Sequence, residues 1–142
     1  MFNDRAGEAM EFYTSIFPNS KIVSTMPGPE GSVMGGSFEI EGQKFSCYNG
    51  GDHFSFSEGN SLMISAETQS EVDALSEGLS EGGEQQPCGW LKDKFGVSWQ
   101  ITPPILLTLL SDPDREKAKR VMDAMMKMKK IIIADLEAAA AV

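Results

Sequence analysis

Hydrophobic residues recur every three or four positions near the start of the chain and alternate with polar residues soon afterwards. The helical spacing runs over residues 5–17. Asn3 or Asp4 can cap a helix that begins there, and Pro18 with Asn19 ends it. We therefore predict a helix that packs one apolar face on a sheet. The residues of that face are Ala9, Phe12, Tyr13, Ile16 and Phe17.

Strand patterns follow this helix. Residues 21–26 predict a strand, and a loop rich in proline and glycine comes after it at residues 27–31. Apolar and polar positions then alternate across residues 36–49, which predicts a hairpin with its turn around residues 41–43. A polar, glycine-rich connection over residues 50–60 closes this half of the chain.

The second half of the chain repeats the order of helix and strands, with an additional strand before the helix. Residues 61–66 predict that strand, and Thr68 with Glu71 forms a capping box for the helix that follows. Gly82 and Gly83 end this helix, whose apolar face carries Val72, Leu75 and Leu79. Residues 84–93 and 95–102 then predict a second hairpin.

The order of elements predicts an α+β fold built from two related modules. Module 2, residues 59–104, reads β-α-β-β-β, while module 1, residues 1–58, reads α-β-β-β and lacks a leading strand. We expect either that this strand is truncated, which is the simpler explanation, or that a partner supplies the edge. One domain over residues 1–142 is expected from the length, with a helical extension at residues 105–142.

That extension is predicted to be helical from Pro103 onward. Asp112 is expected to cap a helix that has Pro113 in its first turn. Its apolar stripe is rich in methionine, which favours packing in a core or a dimer over an adaptable binding surface. The stripe comprises Ala118, Val121, Met122, Met125 and Met128.

Charge and cysteine content narrow the possible partners. The net charge is −9 and the isoelectric point is about 4.5, which argues against nucleic-acid binding because phosphates require a basic surface. No apolar run approaches the roughly 20 residues that span a bilayer, and no basic segment precedes an apolar one at the start. We interpret Cys47 and Cys88 as reduced thiols of a cytoplasmic protein.

Several motifs together resemble a known family. They lie at residues 8–13, 17–20, 49–56, 88–100 and 110–114. With the two modules, they are similar to the PhnB-like branch of the vicinal oxygen chelate superfamily, which includes glyoxalases, bleomycin-resistance proteins and dioxygenases. Members of this branch are often labelled 3-demethylubiquinone-9 3-methyltransferase. The resemblance implies a curved mixed sheet around a cavity and a homodimer.

The resemblance also implies positions for a divalent metal. In module 2 these positions hold Ser61 and Gln100, and in module 1 one falls near residues 47–49. A hydroxyl and an amide are weak ligands, whereas a catalytic zinc site presents about three nitrogen, sulfur or carboxylate ligands. We therefore expect no metal site and no cofactor.

Strand alternation favours Gln100 as a binding residue. In residues 97–101, Val97, Trp99 and Ile101 share one face, while Ser98 and Gln100 share the other. If the apolar face packs under the helix, Gln100 points into a cavity, where its amide can donate and accept hydrogen bonds. Such a group suits a neutral polar ligand.

The other candidates each have a structural alternative. His53, the single histidine, is either a general base over the pocket or a loop residue that bonds backbone, and the loop setting favours the latter. Cys47 on a strand is more often a small buried hydrophobe than a nucleophile. The full set of predicted ligand-binding residues is Gln100, Ser98, Cys47, Asn49, His53, Trp90 and Ser61.

Three functions remain open from the sequence. The first is the binding of a small polar metabolite in a sheet cavity, without a metal and with no demonstrated catalysis. The alternative is a metal-dependent enzyme of the superfamily, of the lyase, dioxygenase or resistance type, and the third is a purely structural protein. A methyltransferase is physically unsupported, because the chain has no glycine-rich turn from strand to helix of the GxGxxG kind.

Overall fold

The computed structural model describes residues 1–142 and divides them into two compact units, Met1–Phe56 and Ser57–Val142. Five helices and two sheets confirm the α+β class. Unit 1 contains α1 (Ala6–Ile16), β1 (Ser20–Pro27), β2 (Val33–Ile40) and β3 (Gln43–Tyr48). Unit 2 contains β4 (Leu62–Ser65), α2 (Gln69–Ser80), β5 (Glu84–Gln85), β6 (Trp90–Lys92), β7 (Ser98–Thr102), α3 (Pro104–Leu110), α4 (Arg115–Met125) and α5 (Ile133–Ala141).

The sheet of unit 1 is antiparallel, with the strand order β1-β2-β3. Its β2–β3 turn has positive φ angles at both central residues, 50° at Glu41 and 80° at Gly42. This conformation matches the right-handed twist of the flanking strands and favours glycine at the second position. The predicted hairpin and its turn are therefore confirmed.

Helix α1 covers one face of this sheet. Tyr13 is buried and its ring stacks on Phe38 with centroids 5.8 Å apart, and Phe38 in turn stacks on Phe45 at 5.3 Å. Offset aromatic pairs at these separations add to the free energy gained from apolar burial. The predicted apolar face of the first helix is thus the side that forms the core of unit 1.

The cap of α1 comes from a distant residue. The N-cap position is Arg5, and its side chain makes no capping hydrogen bond. Instead, Asn49 Oδ1 accepts from Ala6 N at 2.8 Å, and Asn49 Nδ2 donates to Val33 O at 3.0 Å. The predicted cap by Asn3 or Asp4 is wrong because a side chain 43 residues away occupies that role.

The sheet of unit 2 is mixed, with the strand order β4-β7-β6-β5. Strand β4 runs parallel to β7, and the other two pairs are antiparallel. In unit 1, Phe2 forms a parallel bridge with Asn49 just after β3, through Phe2 N to Tyr48 O at 2.8 Å and Gly50 N to Phe2 O at 2.9 Å. Phe2 therefore pairs in parallel with the end of the last strand of unit 1, as β4 pairs in parallel with β7, the last strand of unit 2.

Helix α2 begins at the predicted capping box. Thr68 Oγ1 accepts from Glu71 N at 3.1 Å, while the Glu71 carboxylate accepts from Glu67 N at 2.9 Å. Val72 and Leu79 are fully buried as α2 packs on β6 and β7. The predicted helix is confirmed, and its apolar face covers one side of the unit 2 sheet.

The C-terminal helices form a small core of their own. Its buried members are Leu106, Val121, Ile131 and Leu136, and Met125 and Met128 pack against them. Only Met122 of the predicted methionine stripe stays largely exposed, at 42%. The stripe is therefore not available as a whole for a contact between two copies of the chain.

The cap of α4 is Asp114 rather than the predicted Asp112. The Asp114 carboxylate accepts from Glu116 N and Lys117 N at 3.1 and 3.2 Å. Asp112 instead accepts from Lys117 Nζ at 2.8 Å and from Asp114 N at 2.9 Å. Both carboxylates lie at the start of the helix, where the first N–H groups need acceptors.

The segment before α5 anchors these helices to the rest of unit 2. Gln69 accepts from Ile133 N at 2.8 Å and donates to Ile131 O at 3.0 Å. Lys130 forms an ion pair with Asp73 at 2.9 Å. None of the helices has the length and the apolar character that crossing a membrane requires.

Asn49→Ala should lower the free energy of unfolding by about 1 to 3 kcal/mol, since it removes the α1 cap and a bond to β2 together. Urea denaturation followed by circular dichroism measures this change. Asn60→Ala is the matched control, because Asn60 is exposed in a loop. Equal stability of the two variants would contradict the long-range cap.

Candidate functional site

The side of the unit 2 sheet opposite α2 brings four predicted residues together. The register pairs Trp90 with Gln100, and it pairs Lys92 with Ser98. Directly opposed residues of an antiparallel pair share a face, so these two pairs lie on one side, while Leu91 and Trp99 point to α2. Ser61, the fourth predicted residue, contacts Gln100 on the same side. We call this side the glutamine face. It comprises Ser61, Met63, Trp90, Lys92, Ser98 and Gln100.

A buried carboxylate in the β6–β7 turn fixes this arrangement. Asp93 is 2% exposed, and its Oδ1 accepts from Phe95 N at 2.9 Å and Val97 N at 3.0 Å. Its Oδ2 accepts from Trp99 Nε1 at 2.9 Å. Because the indole is hydrogen-bonded to the turn, the Trp99 ring stays under α2. Gln100, the next residue along the strand, therefore faces the opposite side of the sheet.

Gln100 and Ser61 meet at the centre of the glutamine face. Gln100 Nε2 donates to Ser61 Oγ at 2.8 Å. Both residues are partly buried, and Met63, which is paired with Gln100 in the parallel register, is 55% exposed. The amide oxygen of Gln100 has no hydrogen bond in the structure, so it can accept one from a ligand.

Ser98 adds a buried hydroxyl to the same face. The residue is 2% exposed, and its Oγ makes no hydrogen bond. A buried polar atom without a partner costs roughly 1 to 3 kcal/mol, so such atoms are few in folded proteins. The hydroxyl therefore has an unused capacity to donate and to accept beside Gln100.

An ion pair lies beside Ser98. Lys92 contacts the carboxylate of Glu58 and lies 4.0 Å from that of Glu84. The hydrogen bond from Lys92 lowers the pKa of Glu58, and the same bond raises the pKa of Lys92. A carboxylate with a lowered pKa favours the folded state at neutral pH, and this contribution is lost in acid as the pH falls through that pKa.

The predicted residues of unit 1 have other surroundings. Cys47 is buried with its thiol 4.0 Å from Ala6 O, and burial raises the pKa of this thiol, which keeps it protonated at neutral pH. Asn49 caps α1, as described above. His53 is exposed in a short helical turn that ends at this residue. Binding roles for these three residues stay predictions.

The residues present do not fit a divalent metal. Ser61 and Gln100, the positions where the resemblance implied metal ligands, offer only neutral groups and are hydrogen-bonded to each other. The structure contains no group of three or more histidine, cysteine, aspartate or glutamate side chains that could hold a metal ion. A catalytic metal normally requires about three such ligands.

Two residues that shape this face were not predicted from the sequence. The role of Asp93 in the turn was not predicted, although an aspartate three residues before Gly96 is a recognisable turn signal. Lys92 was also missed, since its partner Glu58 lies in a loop whose path the pattern does not predict. Strand alternation would have placed Lys92 with Trp90 on one side.

Comparison with known proteins assigns the chain to a family. The family model described as 3-demethylubiquinone-9 3-methyltransferase matches residues 1–102. The chain belongs to this family. No curated protein matches it. The match ends at the last residue of β7, so the three C-terminal helices lie outside it, and so does the predicted motif at residues 110–114.

Two solved structures are similar to this chain in different degrees. A putative 3-demethylubiquinone-9 3-methyltransferase, PhnB protein, from Bacillus cereus is 36% identical with a TM-score of 0.68, over 72% of this chain and 94% of that one. Protein PA1353 from Pseudomonas aeruginosa is 20% identical with a TM-score of 0.57, over 72% and 91%. The first supports the PhnB-like branch, and the second supports the fold alone.

Asp93→Asn should destabilise the protein by about 2 to 4 kcal/mol, because it replaces one accepting oxygen with an NH₂ group. That group would face either the indole N–H of Trp99 or the backbone N–H groups of Phe95 and Val97, and two donors cannot bond each other. Chemical denaturation gives the change in stability, and tryptophan fluorescence reports the Trp99 environment. Asp52→Asn, at an exposed turn, is the matched control. A variant as stable as the control would show that the carboxylate does not organise this hairpin.

Proposed function

We propose that this chain binds a small polar metabolite on the glutamine face, as a PhnB-like member of the vicinal oxygen chelate superfamily that works without a divalent metal. The observation that carries the proposal is the hydrogen bond from Gln100 to Ser61 on a sheet face with an exposed methionine. It leaves the amide oxygen of Gln100 available, and the Ser98 hydroxyl beside it has no partner.

The face supplies both the polar and the apolar contacts that small-molecule sites combine. The Gln100 oxygen accepts a hydrogen bond from the ligand, and the buried Ser98 hydroxyl can donate one if the ligand displaces the side chains that cover it. The Trp90 ring and the Met63 side chain offer surface to the body of the ligand, since both lie next to Gln100 in the register. A neutral compound with adjacent donor and acceptor groups fits this set.

The superfamily assignment rests on the matching arrangement of the two units. In unit 2, the leading strand β4 runs parallel to the final strand β7. In unit 1, Phe2 forms a parallel bridge beside the end of β3, and α1 follows it as α2 follows β4. This correspondence supports two β-α-β-β-β modules, although no sequence repeat marks them.

Methyl transfer is not part of the proposal, although the family description and the Bacillus cereus relative carry that name. A nucleotide-type cofactor in a doubly wound fold binds at a glycine-rich turn between a strand and a helix. The connection from β4 to α2 is Ala66-Glu67-Thr68, which contains no glycine. The remaining strands of that sheet pair in antiparallel fashion, so no second site of that kind exists there.

Gln100→Leu should weaken metabolite binding about tenfold while leaving the fold intact, because it replaces the amide with an apolar group of similar bulk. A thermal-shift screen of neutral polar metabolites identifies the ligand, which at 100 times its dissociation constant stabilises by about 2.7 kcal/mol. Calorimetry then compares the variant with the wild type. Gln43→Leu, the same change at an exposed hairpin position, serves as the control.

Several outcomes would contradict the proposal. Equal affinity of Gln100→Leu and the control would place the ligand elsewhere. A stoichiometric divalent ion in protein purified without chelator, lost in Gln100→Leu, would favour a metal-dependent enzyme. Stabilisation by S-adenosylmethionine with transfer of its methyl group would restore the activity that the family description names.

A further inference from the structure

Two sulfur atoms lie together where the C-terminal helices of unit 2 meet the turn before β6. Cys88 belongs to the short helical turn Pro87–Gly89, and Met126 follows the last residue of α4. The Cys88 thiol lies 3.7 Å from Met126 Sδ, to which it donates a weak hydrogen bond. We call these two side chains the sulfur pair. Neither of them belongs to the glutamine face.

Backbone hydrogen bonds hold both members of the sulfur pair in position. Cys88 N donates to Met128 O at 2.9 Å, and Gly89 N donates to Lys129 O at 2.7 Å. These bonds fix the turn before β6 against the segment that follows α4. Met126 is fixed as well, because its own N–H closes the last turn of that helix. The two side chains therefore start from fixed backbone positions and meet at their sulfur atoms.

The sulfur pair is open to solvent, unlike the other thiol of the chain. Met126 is 62% exposed, and Cys88 is half-buried. Cys47 is buried, and this burial raises the pKa of its thiol. An ion that arrives from solvent therefore meets a thiol and a thioether together at Cys88, whereas the Cys47 thiol is enclosed and protonated.

The separation of the two sulfurs fits two ligands of one metal ion. Metal–sulfur bonds are about 2.3 Å long, so an ion bonded to sulfurs 3.7 Å apart has an S–metal–S angle of about 107°. This angle is close to the tetrahedral value. Both sulfurs can thus bind the same ion without movement of the backbone, and its remaining coordination positions face solvent.

The chemistry of the two ligands selects a soft monovalent ion. Cu(I) accepts both thiolate and thioether sulfur. Zn(II) is bound instead by cysteine, histidine and carboxylate side chains, usually four of them, and the structure contains no cluster of even three. On binding, the Cys88 thiol releases its proton to water, and the negative charge of the thiolate neutralises the positive charge of the ion.

We propose that the sulfur pair is a binding site for a single copper(I) ion, held by Cys88 Sγ and Met126 Sδ. Two protein ligands leave the ion accessible, so it exchanges with small thiols in solution. Met126 lies outside residues 1–102, which the family model matches, so half of the site comes from the C-terminal helices. The site does not depend on the proposed function, because it uses no residue of the glutamine face.

The probe is Cu(I) alone, supplied to the full chain without oxygen as a complex with a competing chelator. One ion per chain should transfer to the protein, and the carbon-13-labelled methyl signal of Met126 should shift until that ratio is reached. Cys88→Ser should abolish the transfer although Cys47 remains. Met126→Leu should weaken Cu(I) binding about tenfold, because it removes the thioether and keeps an apolar side chain. Zn(II) should leave the Met126 methyl signal in place.

Met34→Leu is the matched control, since Met34 is also exposed, at 42%, and lies in β2 of the other unit. It should change Cu(I) affinity by less than about twofold, the scale of an ordinary surface substitution. Equal affinity of Met126→Leu and this control would show that the thiol acts without the thioether, which overturns the pair. Transfer that persists in Cys88→Ser, or an equal response of the Met126 methyl signal to Zn(II), would also overturn it.

Discussion

The hydrogen bonds of the Asp93 carboxylate fix the geometry on which the proposed site depends. One oxygen accepts from two backbone N–H groups of the β6–β7 turn, and the other accepts from the Trp99 indole. A carboxylate that is 2% exposed is stable only when its oxygens are satisfied in this way. The bonds hold Trp99 under α2, and strand geometry then turns Gln100 to the opposite side of the sheet.

The residues that carry local patterns were predictable. The capping box at Thr68 and the alternation of Ser98, Trp99 and Gln100 need only neighbours in sequence, and the structure has them as the pattern predicts. Ser61 was implied by the family resemblance, and its hydrogen bond with Gln100 depends on the parallel register of β4 and β7. Local signals thus predicted one helix start and the placement of Ser98 and Gln100 on the side opposite Trp99.

Contacts between distant residues account for what the sequence did not predict. Asn49 caps α1 across 43 residues, and Gln69 holds the segment before α5 from more than 60 residues away. The pattern around Lys44 and Ser46 shows which face they share, but the Ser24–Ser37 contact needs the sheet register. Register depends on packing and on a bulge in β1, which alternation alone does not fix.

The indole N–H signals test the central claim most directly, because the chain has only two tryptophans and they lie on opposite sides of one sheet. Nitrogen-15 spectra recorded with and without a metabolite that stabilises the protein should show the Trp90 indole and the Gln100 side-chain amide shifting together. The Trp99 indole, bonded to Asp93, should stay in place. A shift of Trp99 with Trp90 and Gln100 unchanged would contradict a ligand site on the glutamine face.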